Sequence, residues 1–185
     1  MVRHPFSRLV SAYWDKLIYE NESSLYQGVK QSIRKLVRPG ASEKEISRIP
    51  ITFQQFVQAV LNPRWKHKGD RHWRSAVQLC SPCAIQYDYI IDVENIALQI
   101  EPMLLQLSDG DRHMYEKLSS MVKPANRHSE LKTNPKQSSI VLRDFKNLTS
   151  TQITGLIDRF SLDLQLFGYT FDTNTYEVDL KRDLA

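Results

Sequence analysis

Three stretches of this chain place apolar side chains at helical spacing directly behind a helix-start signal, and together they commit it to a helix-rich fold. The first opens at Pro5. Proline suits the first helical position because the N–H it lacks would have no intrahelical partner there. Phe6, Val10, Tyr13 and Leu17 then recur with helical period, with Leu9 beside them, so the spacing predicts a helix over 5–19. Ser7, Ser11 and Trp14 share another face, about a quarter-turn away at roughly 100° per residue. The second stretch follows Thr52, which has capping-box spacing to Gln55. Phe53, Phe56, Val57 and Val60 form its stripe, and Asn62-Pro63 ends it. The third begins at Thr149 with Gln152 by the same cap logic. Its stripe is Ile153, Leu156, Ile157, Phe160, Leu164 and Phe167, and Gly168 is its stop.

Between these helices the patterns are weaker. Residues 20–50 read as a polar, basic insertion with a helix over 26–37 that Pro39-Gly40 stops. Residues 63–75 read as a basic loop rich in His and Trp. The run AIQYDYIIDVE, residues 84–94, has the β-branched and aromatic content of a strand whose inner part is buried. A helical pattern follows over 95–108, with Pro102 kinking or dividing it. Residues 119–147 are polar and read as irregular; they hold Arg127, His128 and the stretch from Lys132 to Lys136. Without a repeat or a low-complexity tract, the 185 residues read as one domain with a real core.

Charge narrows the partners. Hydrophobic residues make up 41% and charged residues 25%, a composition that excludes disorder throughout. The net charge of +4 is unevenly spread. Lys30, Arg34, Lys35 and Arg38 form one cluster; Arg64, Lys66, His67, Lys68, Arg71, His72 and Arg74 form another. Such segments attract polyanions: glycan, anionic lipid or nucleic acid. No nucleic-acid motif is present and the aromatics fall mainly on core stripes, which argues against a nucleic-acid partner. No apolar run is long enough to span a membrane, and no signal peptide opens the chain. Asn21-Glu22-Ser23 and Asn147-Leu148-Thr149 fit the glycosylation acceptor pattern.

Several residues carry candidate chemistry. An arginine just before a helix, Arg3, can fork onto a phosphate, and helix-start N–H groups favour an anion. Ser11, two turns into the helix, would flank that phosphate. Cys80 and Cys83 form a C-x-x-C pair that fits a redox couple, half a metal site or a structural disulfide. The spacing of His67 and His72 to these cysteines is not a zinc pattern. The adjacent His72 and Trp73 read, by residue type alone, as a packed Trp beside a solvent-facing His. Glu94 is a base by residue type and an ion-pair partner by position.

Four blocks, in order, resemble the Golgi carbohydrate sulfotransferases, which include the chondroitin and dermatan enzymes. They are VRHPFSRLVSAYWDKL, ITFQQFVQAVLN, HWRSAVQLCSPCAIQYDYIIDVENI and LIDRFSLDLQLFGYTF. The resemblance implies a three-layer α/β sulfotransferase domain related to P-loop proteins, of which this chain is a fragment lacking the N-terminal donor-loop half. It implies that Arg3 and Ser11 hold the 3′-phosphate of the co-substrate 3′-phosphoadenosine 5′-phosphosulfate (PAPS), and that Arg127 makes a late phosphate contact. The catalytic base is expected upstream, so the chain alone is expected to be weak or inactive. The expected acceptor is an acidic, chondroitin-like glycosaminoglycan met by Arg34, Lys35, Arg71, His72 and Trp73, with His72 positioning an acceptor hydroxyl or binding a sugar carboxylate and Trp73 stacking on a sugar ring, and no metal is expected. The implied location is the Golgi lumen, behind a membrane anchor belonging to the full-length parent. There a disulfide is reasonable for Cys80 and Cys83, with each other or with other cysteines. In one block this chain departs from the family: Ile91-Asp92 stands where Gly-Lys is usual. The competing reading is a non-catalytic module that binds polyanionic glycans.

Overall fold

A computed structural model describes residues 1–19, 24–47, 49–122 and 139–179. In chain order the elements are helices α1 (Pro5–Ala12), α2 (Ser24–Val37), α3 (Glu43–Ser47), α4 (Phe53–Leu61), α5 (Ala76–Cys80), α6 (Ile96–Ser108) and α7 (Arg112–Val122). Strand β1 (Ser139–Val141), helices α8 (Ser150–Arg159) and α9 (Ser161–Leu166), and strands β2 (Thr170–Phe171) and β3 (Glu177–Asp179) follow. The chain forms two compact units, one of Met1–Arg3 with Pro82–Ser138 and one of His4–Ser81 with Ser139–Ala185. The helix-rich expectation is met. The ladder found among the described residues is a small antiparallel sheet in the order β1-β3-β2.

In the larger unit, α1 starts at His4, which is 0% exposed. Its Nδ1 accepts from the Phe6 N–H at 3.1 Å, and its Nε2 lies 3.1 Å from the Thr170 carbonyl. The first contact requires a bare Nδ1 and the second a proton on Nε2, so the ring is the neutral Nε2–H tautomer. The expected α-helix over 5–19 is regular only as far as Ala12; Tyr13–Tyr19 is a π-helix. Two side-chain bonds hold this wider coil to other parts of the unit. Tyr13 Oη donates to the Ile51 carbonyl at 2.8 Å, and Trp14 Nε1 donates to Asp144 Oδ2 at 3.1 Å. Tyr13 and Leu17 stay buried, so the core stripe survives the change of coil.

Both capping boxes form as the spacing requires. Gln55 N donates to Thr52 Oγ1 at 3.2 Å and Thr52 N to Gln55 Oε1 at 3.0 Å. The bonds between Gln152 and Thr149 are 3.2 and 3.1 Å. The short α3 was not expected; Ser42 and Glu45 start it, with Ser42 N and Oγ both donating to Glu45 Oε2. The single helix expected to end at Gly168 is divided at Phe160, which leaves helical geometry (φ −107°, ψ 15°) and buries its ring. Gly168 ends the second half at φ 64°, where a side chain would be strained. Residues 139–141 and 143–147, expected to be irregular, form β1 and a 3₁₀ helix. Val178, central in the sheet, lies opposite both Ile140 and Phe171 and is 0% exposed. Phe6 joins sheet to helices, with ring centroids 4.9 Å from Phe171 and 5.2 Å from Phe145.

In the smaller unit, the expected strand over 84–94 reduces to one parallel bridge between Val2 and Asp92. Val2 N donates to the Ile91 carbonyl at 2.7 Å, and Val93 N to the Val2 carbonyl at 2.8 Å. Ile91 and Asp92 are buried, but Ile85, Tyr87, Tyr89, Ile90 and Val93 are exposed, against the expectation of a buried interior. A strand needs a partner along its length, and the described partner, Val2, supplies it at one position. Pro102 lies within one continuous helix, α6, so it does not divide the segment. Asp109 (φ 47°) and Gly110 (φ 81°) turn the chain from α6 into α7, which carries helix through 119–122, a stretch expected to be irregular. No helix among the described residues is long and apolar enough to cross a membrane.

Candidate functional site

Arg3 and Ser11 fall in different units. Arg3 Nε donates to Glu94 Oε1 at 3.3 Å, with side-chain exposures of 22% and 3%. The turn behind Glu94 is built on the buried Asp92 carboxylate, which accepts from Glu94 N at 3.2 Å and Asn95 Nδ2 at 3.4 Å. Asp92, at the departure from the family block, thus has a definite structural task. Glu94 serves as an ion-pair partner.

Ser11 is partly exposed on α1. One turn earlier on the same helical face, Ser7 is 4% exposed, and its hydroxyl has no hydrogen-bond partner among the described residues. Such a desolvated group costs about 1–3 kcal/mol until a partner reaches it.

His72 is partly buried in a basic loop that wraps an aromatic core. Its ring packs against Tyr26, centroids 5.9 Å apart. The same Tyr26 ring carries Lys16 Nζ at 5.7 Å from its centroid, and Lys16 pairs with Asp15 at 2.9 Å. Burial is the main cause that lowers the His72 pKa; Asp70 and Asp15 oppose the shift, and Lys16 and Arg71 add to it. Burial also lowers His67. A depressed histidine is neutral in both folded and unfolded chains above about pH 6.5, and below it the unfolded chain takes up the proton first. Folding stability is therefore expected to fall as pH drops below that value. Urea unfolding from pH 7.5 to 5.5 measures this, and His72→Gln is expected to flatten the slope.

Trp73 is 1% exposed, which corrects its expected role as a sugar-stacking surface. It stacks on Trp65 (5.6 Å, 23°), meets the edge of Phe56 at 5.3 Å, and donates from Nε1 to the His67 carbonyl at 2.8 Å. The ring is a packing element beneath His72. The basic clusters also divide. Arg34 Nε donates to the Ile49 carbonyl at 2.8 Å and Lys30 is 4% exposed, so these two do not form part of a solvated face. Lys35, Arg38 and Arg71 are exposed.

Cys80, partly buried, and Cys83, exposed, fall in different units. Cys80 ends α5, and Ser81, in the left-handed conformation (φ 46°), turns the chain away before the exposed Cys83. Arg127, His128 and the stretch from Lys132 to Lys136 lie outside the described residues. Among the described residues no group of three or more His, Cys, Asp or Glu is placed to hold a metal ion.

Sequence reasoning missed two features near this site. Asp163 is 1% exposed and accepts from Ser75 Oγ at 2.6 Å, Ala76 N at 2.8 Å and Val77 N at 3.0 Å. Its position was a signal: it follows Leu156 and Phe160 at helical spacing and precedes Phe167, so it is a carboxylate on a core stripe. The second is the exposed pair of Trp14 and Tyr19, which no α-helical pattern brings together.

The Sulfotransferase family profile matches residues 1–170, and the chain belongs to that family. Among curated relatives, carbohydrate sulfotransferase 9 of Homo sapiens is 30% identical over 172 residues, covering 91% of this chain and 36% of that protein. Carbohydrate sulfotransferase 11 of Mus musculus is 26% identical over 172 residues, covering 91% and 46%. Carbohydrate sulfotransferase 14 of Danio rerio is 27% identical over 181 residues, covering 95% and 44%. The chain thus spans less than half the length of these relatives. No solved structure gives a significant match.

Proposed function

We propose that this protein transfers sulfate from 3′-phosphoadenosine 5′-phosphosulfate to a hydroxyl of a carbohydrate, with an acidic glycosaminoglycan-type chain as acceptor. The observation that carries the reading is the family match over residues 1–170, which includes the block holding Arg3 and Ser11. The relatives' names supply the carbohydrate. Residue types that suit a phosphate stand in that block: the partly exposed Arg3 guanidinium, the Ser11 hydroxyl, and the buried Ser7 hydroxyl, which has no hydrogen-bond partner among the described residues. The fold that goes with this reading is the three-layer, P-loop-related domain. The location is the Golgi lumen, where the exposed Asn147 is available for glycosylation.

The donor supplies an activated sulfuryl group, whose S–O bond to the 5′-phosphate breaks as the acceptor oxygen bonds to sulfur and loses its proton. In this scheme Arg3 and Ser11 grip the ribose 3′-phosphate, far from sulfur, and fix the donor's position. His72, with Arg71 beside it, orients the acceptor.

Calorimetry with adenosine 3′,5′-bisphosphate tests the grip. The native chain is expected to bind, and Arg3→Ala to weaken binding about tenfold to a hundredfold, the worth of one or two charge-assisted hydrogen bonds. Arg3→Lys keeps a charge opposite Glu94 and separates loss of the fork from loss of the ion pair. A native chain that ignores the nucleotide yet binds glycan in a salt-sensitive manner would replace this reading with the polyanion-binding module.

A further inference from the structure

The π-helix creates a surface that an α-helix could not. In an α-helix, residues five apart point about 140° away from each other, at 100° per residue. The π-helix closes its hydrogen bonds from i to i+5, so residues five apart come round to the same side. Trp14 and Tyr19 are such a pair. Their ring centroids are 5.7 Å apart with 32° between the planes, and the rings are 37% and 74% exposed. Trp14 is fixed in place. Its Nε1 donates to Asp144, and the buried Tyr13 ring meets it edge-on at 5.4 Å. Tyr13 is in turn tied to the Ile51 carbonyl through its hydroxyl.

We propose that Trp14 and Tyr19 form a stacking platform for a sugar ring of the acceptor glycan. This rests on the carbohydrate sulfotransferase reading and adds to it a specific acceptor contact. A pyranose has an apolar C–H face and a rim of hydroxyls. The platform has the matching chemistry: two exposed aromatic side chains, with the Asp144 carboxylate at the Trp14 indole N–H. A two-ring patch with a carboxylate at its rim suits a saccharide and its hydroxyls better than a protein partner, whose contact would centre on a larger patch depleted of charge. Lys16, two residues on and so on the far side of the coil from Trp14, lies over the Tyr26 ring, which packs on His72; the platform is therefore a surface separate from that around His72.

The chain's own tryptophans report the test. Trp65 and Trp73 are 4% and 1% exposed, so a blue shift in emission on adding saccharide is assigned to Trp14. The probe is a desulfated chondroitin hexasaccharide, with adenosine 3′,5′-bisphosphate titrated separately into the same preparations. We expect the native chain to show the shift and Trp14→Phe to lose it. Trp14→Ala is expected to weaken the saccharide about tenfold and Tyr19→Ala several-fold, with nucleotide affinity unchanged. Because stacking is not a charge effect, the loss is expected to persist in high salt, where contacts from exposed basic residues fade. Tyr19, being mostly exposed, guards against misreading a folding defect. Equal saccharide affinity in native, Trp14→Ala and Tyr19→Ala chains overturns the platform, as does a native chain with no saccharide response. Saccharide binding that depends on Trp14 in a chain that ignores the nucleotide keeps the platform and removes the transferase reading.

Discussion

Asp163→Ala is expected to remove about 3–5 kcal/mol of folding free energy, the range for breaking a buried charge network from one side. The first turn of α5 needs acceptors for its N–H groups, and its own cap residue, Ser75, makes no side-chain cap bond. Asp163 supplies the cap from α9. Its carboxylate takes the Ala76 and Val77 N–H groups and the Ser75 hydroxyl, and Arg8 Nη2 lies 3.8 Å away. Arg8 also donates to the Arg74 carbonyl, so one cluster joins α1, α5 and α9. Alanine takes this acceptor from three donors and removes the carboxylate beside the Arg8 guanidinium, whose side chain is 20% exposed. Asp163→Asn keeps one carbonyl acceptor and is expected to lose about half as much. Urea unfolding at fixed pH measures both. A loss below about 1 kcal/mol for alanine would mean that α5 is held by something other than this carboxylate.

How much of this could be read beforehand depended on whether the cause was local. Thr52 with Gln55 and Thr149 with Gln152 are self-contained: cap and partner are three residues apart, and both boxes form. The core stripes of α1, α4 and α8 were legible for the same reason. The π-helix was not, because α and π coils share their first turn of apolar spacing. The bonds anchoring it run from Tyr13 to Ile51 and from Trp14 to Asp144, 38 and 130 residues away. The run over 84–94 had strand composition, but pairing is a property of two segments, and Val2 meets it only at Asp92. Strands of two or three residues, such as β2 and β3, are too short for alternation to register. At the candidate site, Arg3 and Ser11 were marked by resemblance more than by spacing. Asp163 was legible in principle as a carboxylate on an apolar stripe. Which tryptophan lies inside was not, since Trp65 and Trp73 occur in a loop with no periodicity.

That distinction between tryptophans makes the second large prediction. Trp73→Ala is expected to destabilise the chain by about 3–5 kcal/mol, the usual range for truncating a buried aromatic to alanine. Trp14→Ala, at a partly exposed position, is expected to cost about 1 kcal/mol or less. The larger effect follows from the loop around Trp73. Residues 63–75 contain no helix or strand, so backbone ladders do not hold them. They hang on short turns, on the stacked pair of Trp65 and Trp73, and on the bond from Trp73 Nε1 to the His67 carbonyl. Trp65 is tied separately, its Nε1 donating to Ser32 Oγ at 2.8 Å, so the stack fastens the loop to α2. Removing the Trp73 indole leaves a cavity against Phe56 and Tyr26, frees the His67 carbonyl and takes away the floor under His72. Trp73→Phe keeps an aromatic face but loses the N–H, and is expected to cost about 1–3 kcal/mol. Thermal unfolding gives the stability order, and limited proteolysis gives its location: Trp73→Phe is expected to open new cleavage within 63–75. If Trp14→Ala proved the more destabilising change, the indole inside the core and the indole facing solvent would have to be exchanged, and with them the assignment of Trp14 to a sugar ring.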